Sequence, residues 1–395
     1  MSAVSEIEKP KVSLLYNPKV RNLAYQLLLC GVIAVLVYGA VANAIENLRR
    51  AKIASGFGFW NQTAGFDISQ SLIEYSSSTS TYGQAFWVGL CNTLVVAGLG
   101  IVFATILGFI IGIARLSKNW LVARLAGGYV ELIRNLPVLL QLLFWYNAVL
   151  KALPDVRESV VIGGGAFLNN RGLFVPQPIF HEGFGAVLAA FVLGVVGSIA
   201  FRIWARRRQE RTGEQAPVLW VALGLIVGLP LLVFVLAGSP IEFSYPEKGR
   251  FGVRGGIELL PEMVALLFGL VIYTAAFIAE VVRAGILAVS HGQTEAAYSL
   301  GLRPGPTLRL IVLPQAMRVI IPPLTSQYLN LTKNSSLAVF VGYPDLVLVF
   351  AGTVLNQTGQ AVEVIAITML VYLTISLVTS LFMNWFNRRM ALVER

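Results

Sequence analysis

The sequence predicts an all-α integral membrane protein, a bundle of about eight helices that cross a bilayer. Three observations lead there. The chain has 395 residues, of which 56% are hydrophobic and only 13% charged, against about a quarter charged in an ordinary soluble domain. The charge deficit is concentrated in uncharged runs, most of them long enough to cross roughly 30 Å of hydrocarbon as a helix. Those runs are continuous, whereas a transmembrane β-barrel would show alternation with a period of two.

The spans follow in chain order. The first run, 23–45, comes after a polar tail, 1–22, and no small-residue cleavage site follows it closely. It is expected to be a retained membrane helix and not a removed signal peptide. Residues 85–114 form the second span, and 135–150 a shorter third one. Uncharged stretches at 183–201 and 215–241 give the fourth and fifth. Residues 263–279 supply the sixth, 319–344 the seventh with Lys333 interrupting it, and 364–387 the eighth. The stretch 43–84 is rich in Gly, Ser, Thr and Asn, including "SSSTSTYG", and reads as an extracytoplasmic loop with little regular structure. Residues 151–182 read as a second such loop, and "RIWARRRQERTGE" as a short hairpin loop anchored at headgroups.

Net charge is +10. A basic surface could imply nucleic acid, but these residues flank apolar spans, so topology accounts for them and no nucleic-acid partner is expected. With the N-terminus inside and eight crossings, Lys and Arg fall about two to one on the cytoplasmic side. That side carries Lys9, Arg115, the Arg202 to Arg211 group, Arg303, Arg309, Arg318 and Arg388. The opposite side carries Arg49, Lys151, Arg157, Arg171, Lys248 and Arg254, among others. Both termini are then cytoplasmic. Cys30 and Cys91 lie inside predicted spans and read as small apolar filler. His181 and His291 are too far apart for a local zinc signature, so no metal site is expected. No nucleophile, His and acid can be assigned to one site, which argues against an enzyme. Nor is there a GxxxxGK[ST] phosphate loop, so any ATP chemistry must come from a partner. Small-xxx-small pairs at Gly108 and Gly112, and at Gly224 and Gly228, would let helices approach closely. Such pairs are also frequent by chance in Gly-rich spans.

Between the sixth and seventh spans lies "EAAYSLGLRPGPTLRLIVLPQAMRVIIPP", residues 295–323. Thr294 is placed to cap a short helix beginning at Glu295. Ala296 and Ala297 favour that helix with minimal bulk, so another protein can approach the backbone. Gly301 can take positive φ and end it; Pro304 and Pro306 prevent its continuation. The product is a short exposed helix, either a peg for a partner's socket or an ordinary amphipathic helix at the membrane interface.

The layout Glu295-Ala296-Ala297, three residues, Gly301, nine residues, Ile311-x-Leu313-Pro314 resembles the EAA loop of inner-membrane permease subunits of ABC importers, without departure at those positions. "YVELIRNLPVLLQLLFWYN", "YTAAFIAEVVRAGILAV", "HGQTEAAYSLGL" and "LTKNSSLA" are similar to the polar amino-acid permeases, the uptake group for histidine, glutamate, glutamine and arginine. The resemblance covers roughly 85–150 and 260–387. Typical members have five spans; this chain adds an N-terminal span with its loop, 23–84, and an inserted region, 151–260, with two more. That layout looks like the longer of the two permeases in general L-amino-acid transporters, and two added spans keep parity.

The resemblance implies a MetI-like, type I importer fold, with a permease core in 85–150 and 261–395 and a coupling loop at 289–318. It implies an inner-membrane location and L-amino-acid substrates of broad range, translocated by alternating access. The implied partners are a second homologous permease, an ATPase dimer that uses ATP and Mg, and a periplasmic amino-acid-binding protein, beside membrane lipid. No cofactor is implied for this chain. A rival reading, a secondary transporter driven by an ion gradient, also accommodates intramembrane charge and broken helices but leaves the EAA layout unexplained.

Substrate residues are sought among polar groups inside spans. Glu280 and Arg283 sit three apart on one helix, with Tyr273 seven residues before Glu280. They could meet an amino acid's ammonium and carboxylate, or form an ion pair near the cytoplasmic headgroups. Lys333 interrupts an apolar run beside Asn330, Asn334, Ser335 and Ser336, with Pro322 and Pro323 before it. This suggests a broken or kinked helix lining a polar cavity, or a hinge whose lysine snorkels. Arg134 follows Glu131 by three and precedes Asn135-Leu136-Pro137. A local pair at a helix start on the inner interface is expected there, in preference to ligand contact.

Overall fold

A computed structural model describes residues 18–50, 55–163, 165–249 and 252–390. The predicted cytoplasmic tail lies largely outside these residues, as does the C-terminal end.

Helix α1 (Pro18–Arg50) carries the first span and continues past residue 45 into the predicted loop, where Arg50 pairs with Glu46 at 3.0 Å. Residues 55–81 contain one short 3-10 turn, Gly58–Asn61. The segment is nevertheless held down by an aromatic cluster. Phe59 and Trp60 pack on Tyr82, Phe86 and Phe350. Gly83 makes room for this: a Cβ there would meet the Trp60 indole at 2.5 Å.

Thr81 opens α2 (Tyr82–Ala114) with a capping box. Its hydroxyl accepts the Gln84 amide at 3.3 Å, and Gln84 Oε1 accepts the Thr81 amide at 3.0 Å. Asn119 caps α3 (Trp120–Arg134) by accepting the Leu121 and Val122 amides. Leu136 precedes Pro137 and cannot comfortably stay helical, so the chain breaks before α4 (Val138–Phe144). That helix runs on as a π-helical turn, Trp145–Leu150. The apolar stretch Val138–Leu150 is too short to cross alone, at about 1.5 Å per residue. The third span is therefore the pair α3 and α4, not a single helix.

Helix α5 (Phe184–Thr212) turns at Gly213 (φ +75°) towards α6 (Val218–Leu223), a π turn (Gly224–Gly228) and α7 (Leu229–Leu236). Gly194 lies against the Leu225 carbonyl, where any Cβ would collide with backbone. The arginine-rich stretch differs from the expected loop. It extends α5 to Thr212, with Arg206 paired to Glu210 at 3.1 Å and Arg208 to Glu214 at 2.8 Å. The i,i+4 acid supports helix where composition alone suggested turn.

Helix α8 (Pro261–Leu287) is the axis of the core. It is followed by α9 (His291–Ser299), α10 (Pro304–Thr307), a π turn (Leu308–Val312) and α11 (Leu313–Asn334). Then come a 3-10 turn (Ser335–Phe340), a π-helical segment (Val347–Val354), α12 (Leu355–Thr358) and α13 (Ala361–Met390). Among the described residues seven helices are long and apolar enough to cross a membrane. The α3–α4 pair supplies the remaining predicted crossing. Ile278, Val282, Ala316, Ile320, Ile321, Leu324 and Leu331 are buried where α8 and α11 meet α2.

The inserted region departs most from expectation. Residues 151–182 are not an irregular loop. They form β1 (Val160–Ile162), β2 (Ala166–Asn169), β3 (Gly172–Val175) and β4 (Gln177–Phe180). After the α5–α7 hairpin come β5 (Ile241–Ser244), β6 (Glu247–Gly249), β7 (Gly252–Arg254) and β8 (Ile257–Leu259). The order β1-β2-β3-β8 makes one antiparallel sheet, while β4–β5 and β6–β7 pair separately. Phe174 stands opposite Glu258, and Ile179 opposite Glu242. The two connections flanking the hairpin are thus zipped together at the Pro261 end of α8, opposite to α9.

Candidate functional site

The segment after α8 folds as a short helix held at its end by a glycine turn. Helix α9 begins at His291, a turn earlier than the sequence suggests, so Thr294 lies inside it and is not its cap. The extra turn is stabilised by the Gln293 amide donating to the Ser290 carbonyl at 3.0 Å and by a His291–Glu295 side-chain contact at 3.0 Å. At the other end Gly301 takes φ +77°. Its amide donates to the Tyr298 carbonyl at 2.9 Å, and the Leu302 amide reaches back to Ala297 at 3.1 Å. This is a Schellman turn. Nothing lies within 4 Å of a Cβ built on Gly301, so glycine is required for its backbone angle and not for space. Pro304 then starts α10 at its first turn, where its missing amide costs nothing.

Glu295 and Ala296 face outwards. Ala297 is 1% exposed, because α9 packs back on the Leu308–Val312 turn. Its small side chain therefore serves packing within the chain and not approach by a partner. Ile311 and Leu313 are half-buried in and just after that turn, and Pro314 is exposed in the first turn of α11. Gln293 and Gln315 join α9 to α11 at 3.2 Å. Two apolar side chains that the sequence reading passed over, Tyr298 and Leu300, are 50% and 81% exposed beside the helix end.

The polar residues predicted inside spans do not form one site. Tyr273 and Asn334 line a cavity of about 320 Å³ with Thr274, Phe277, Gln327 and Asn330. A neighbouring cavity of about 470 Å³ shares Phe277 and Gln327 and reaches Arg134, Glu280 and Pro323. Lys333 belongs elsewhere, in a cavity of about 330 Å³ with Ser336, Thr368 and Tyr372. Successive helical residues point about 100° apart, so Lys333 and Asn334 cannot share a face. Ser335 is 1% exposed and its hydroxyl donates to the Thr332 backbone carbonyl at 2.7 Å. Of the expected broken or kinked helix at Pro322 and Pro323, the break does not occur. Both lie inside continuous α11, and the change of helix type comes at Ser335.

Glu280 accepts from Arg283 at 2.6 Å and also from Arg115, which ends α2. The second partner was not evident because it lies 165 residues away. Arg134 shows no pair with Glu131; its guanidinium stands 5.2 Å over the Phe277 ring on the cavity wall. A further buried acid was missed. Asp345 is 0% exposed in the connection before the Val347–Val354 segment. Its Oδ1 accepts the Leu348 amide at 2.8 Å and its Oδ2 faces the Tyr372 hydroxyl at 3.4 Å.

The pattern described as "Binding-protein-dependent transport system inner membrane component" matches residues 215–392. Over nearly its whole length the chain is similar to the "General L-amino acid transport system permease protein AapQ" of Rhizobium johnstonii. Identity is 54% over 97% of this chain and 95% of that protein. The chain belongs to the amino-acid ABC permease family. The permease is also 52% identical to the "Putative amino-acid ABC transporter permease protein YhdX" of Escherichia coli, over 96% of each chain. It is 40% identical to the "Glutamate/glutamine/aspartate/asparagine transport system permease protein BztB" of Rhodobacter capsulatus, over 97% of this chain and 96% of that one.

In the permease the Arg115–Glu280–Arg283 cluster ties α2 to α8 at the end nearest α9. Replacing Glu280 with alanine leaves two partly buried guanidinium groups facing one another. The expected cost is about 1–3 kcal/mol, below that of a fully buried pair because the groups keep some solvent. Thermal inactivation of solubilised Glu280→Ala should come at clearly lower temperature than for Glu280→Gln. Equal stability of Glu280→Ala and the parent would remove the structural role.

Proposed function

We propose that the permease is one half of the transmembrane pathway of an ATP-driven importer of L-amino acids, and that α9 is its attachment to a separate ATPase dimer. The observation that carries this is α9 itself: an exposed helix with the full EAA layout, ended by a glycine turn and anchored to α11 through Gln293 and Gln315. A rigid peg transmits displacement, whereas a flexible loop would absorb it. On this reading the α9 side is cytoplasmic, both termini lie there, and the β strands of the insertion lie outside the inner membrane. The core is 85–150 with 261–395, the insertion 151–260, and the coupling loop 289–318.

ATP and Mg bind in the partner. Closure of the ATPase dimer moves Glu295, Ala296 and the exposed Tyr298–Leu300 edge, and α11 tilts against α2, α8 and α13. A second, homologous permease supplies the other wall, and a periplasmic amino-acid-binding protein delivers the solute. The direction of transport comes from the partners' different affinities for the two states. In the α8–α11 cavity, hydroxyl and amide groups from Tyr273, Thr274, Gln327, Asn330 and Asn334 suit a zwitterion without demanding one side chain. Arg134, without an ion-pair partner among the described residues, is placed to meet an α-carboxylate. A broad substrate range accords with the name of the Rhizobium relative.

Mild solubilisation of membranes and capture of the permease should bring down an ATPase and a second permease together. A photocrosslinker at exposed Ala296 should label the ATPase. Capture without any ATPase, combined with uptake into vesicles lacking ATP, would favour the ion-gradient transporter instead.

A further inference from the structure

Where the inserted strands meet the core, two cavities of opposite character lie side by side. One, of about 220 Å³, is lined by apolar side chains alone, among them Trp145, Leu153, Leu168, Val264 and Phe268. The other, of about 460 Å³, is lined by Asp155, Val156, Arg157, Asn170 and Arg171. Two chain segments run from one into the other. Leu153 leads to Asp155 outside any helix, and Leu168 on β2 leads to Asn170 in the turn that follows the strand. Two residues of chain span at most about 7 Å, so both segments bring the basic cavity close beside the apolar one.

The basic cavity has a preorganised floor. Asn170 donates to Asp155 Oδ1 at 2.7 Å, and its amide reaches the Pro154 carbonyl at 3.0 Å. Wholly buried Asn169 donates to Ser159 Oγ at 3.0 Å and accepts the Arg171 amide at 2.8 Å. Asp155 is thus engaged by an amide, while Arg157 and Arg171 have no carboxylate partner among the ion pairs of the described residues. Lys248 adds a third cation nearby, donating to the Ser159 carbonyl at 3.1 Å. Trp145 stacks edge-on with Phe268 at 4.8 Å, and the Lys151 ammonium stands 4.5 Å over the Tyr146 ring. An aromatic and basic belt of this kind marks the level of lipid headgroups.

We infer that this composite cleft is a phospholipid site, with one acyl chain in the Trp145–Leu168–Phe268 groove and the phosphate held by Arg157 and Arg171. Guanidinium forks match phosphate oxygens bidentately. A groove with no polar group excludes the soluble amino-acid substrates, and a net positive rim selects anionic over zwitterionic headgroups. The lipid would staple the inserted strands to α4 and α8. This reading stands independently of what α9 docks.

Native mass spectrometry of the purified transporter, delipidated and returned to phosphatidylglycerol, tests it. The parent should retain phosphatidylglycerol at least fivefold better than phosphatidylcholine. Both Arg157→Gln/Arg171→Gln and the groove-filling Val264→Phe should abolish that preference, and Arg157→Lys/Arg171→Lys should keep part of it. Inorganic phosphate should not compete. Retention unchanged in the glutamine variant would overturn the proposal. Competition by inorganic phosphate would reduce the site to an anion pocket and overturn the acyl-chain part. Loss of capture of a soluble binding protein by the glutamine variant, with lipid retention intact, would reassign the cleft to protein docking.

Discussion

Replacing Gly301 with valine is expected to lower uptake at least tenfold while membrane insertion stays intact. Gly301 sits at φ +77° with open space around it. A Cβ in this left-handed region costs about 1–2 kcal/mol, and a β-branched residue is a genuine outlier there. The chain escapes by giving up the turn, losing the Leu302-to-Ala297 and Gly301-to-Tyr298 hydrogen bonds. Helix α9 then frays from its end and its link to α11 slackens. Asparagine tolerates positive φ, so Gly301→Asn should keep most of the activity. Transport rates normalised to protein in the membrane, with ATP hydrolysis measured in parallel, decide the matter. Continued hydrolysis without uptake in the valine variant is the expected signature. Full uptake by Gly301→Val would sink the lever.

The second large effect lies in the core. Gly108→Leu should leave little stable protein. A Cβ there would stand 2.5 Å from Ile278 Cγ2 and 3.1 Å from the Ala275 carbonyl. One turn on, a Cβ at Gly112 would stand 2.8 Å from the Ala279 carbonyl. Backbone of α8 cannot yield to admit a side chain, and overpacking costs about 1–3 kcal/mol or more, out of about 5–15 kcal/mol in total. Gly224→Leu is the matched control, because nothing lies within 4 Å of a Cβ built on Gly224. Size-exclusion profiles after solubilisation should show aggregate for Gly108→Leu and a single species for Gly224→Leu. Two intact profiles would mean that α2 and α8 are not closely packed.

Those glycine pairs show where sequence reading stops. Both match the same spacing, yet only one stands against a partner helix. The same limit applies elsewhere. Seven spans were legible because hydrocarbon demands long uncharged runs, and the EAA segment because seven positions match that layout in order; the third was read as 135–150 alone because α3 carries Arg124, Glu131 and Arg134. Strand β3 was not legible: three or four residues carry little periodicity, and β8, its partner, comes more than 80 positions later. Arg115 escaped notice for the same reason. Lys333 and Asn334 looked like one site in sequence, but helical geometry sends them into different cavities.

The sequence by itself determined most of the crossings, the family and the layout of the EAA segment, since hydrophobic run length and short fixed spacings are local properties of a chain. Only the tertiary structure decided which glycines are contacts, that Ala297 is packed inward, that Glu280 is shared between two arginines, and that the inserted loops form a sheet. Each of these depends on which distant segments meet, and that is set by packing of whole helices and strands against one another.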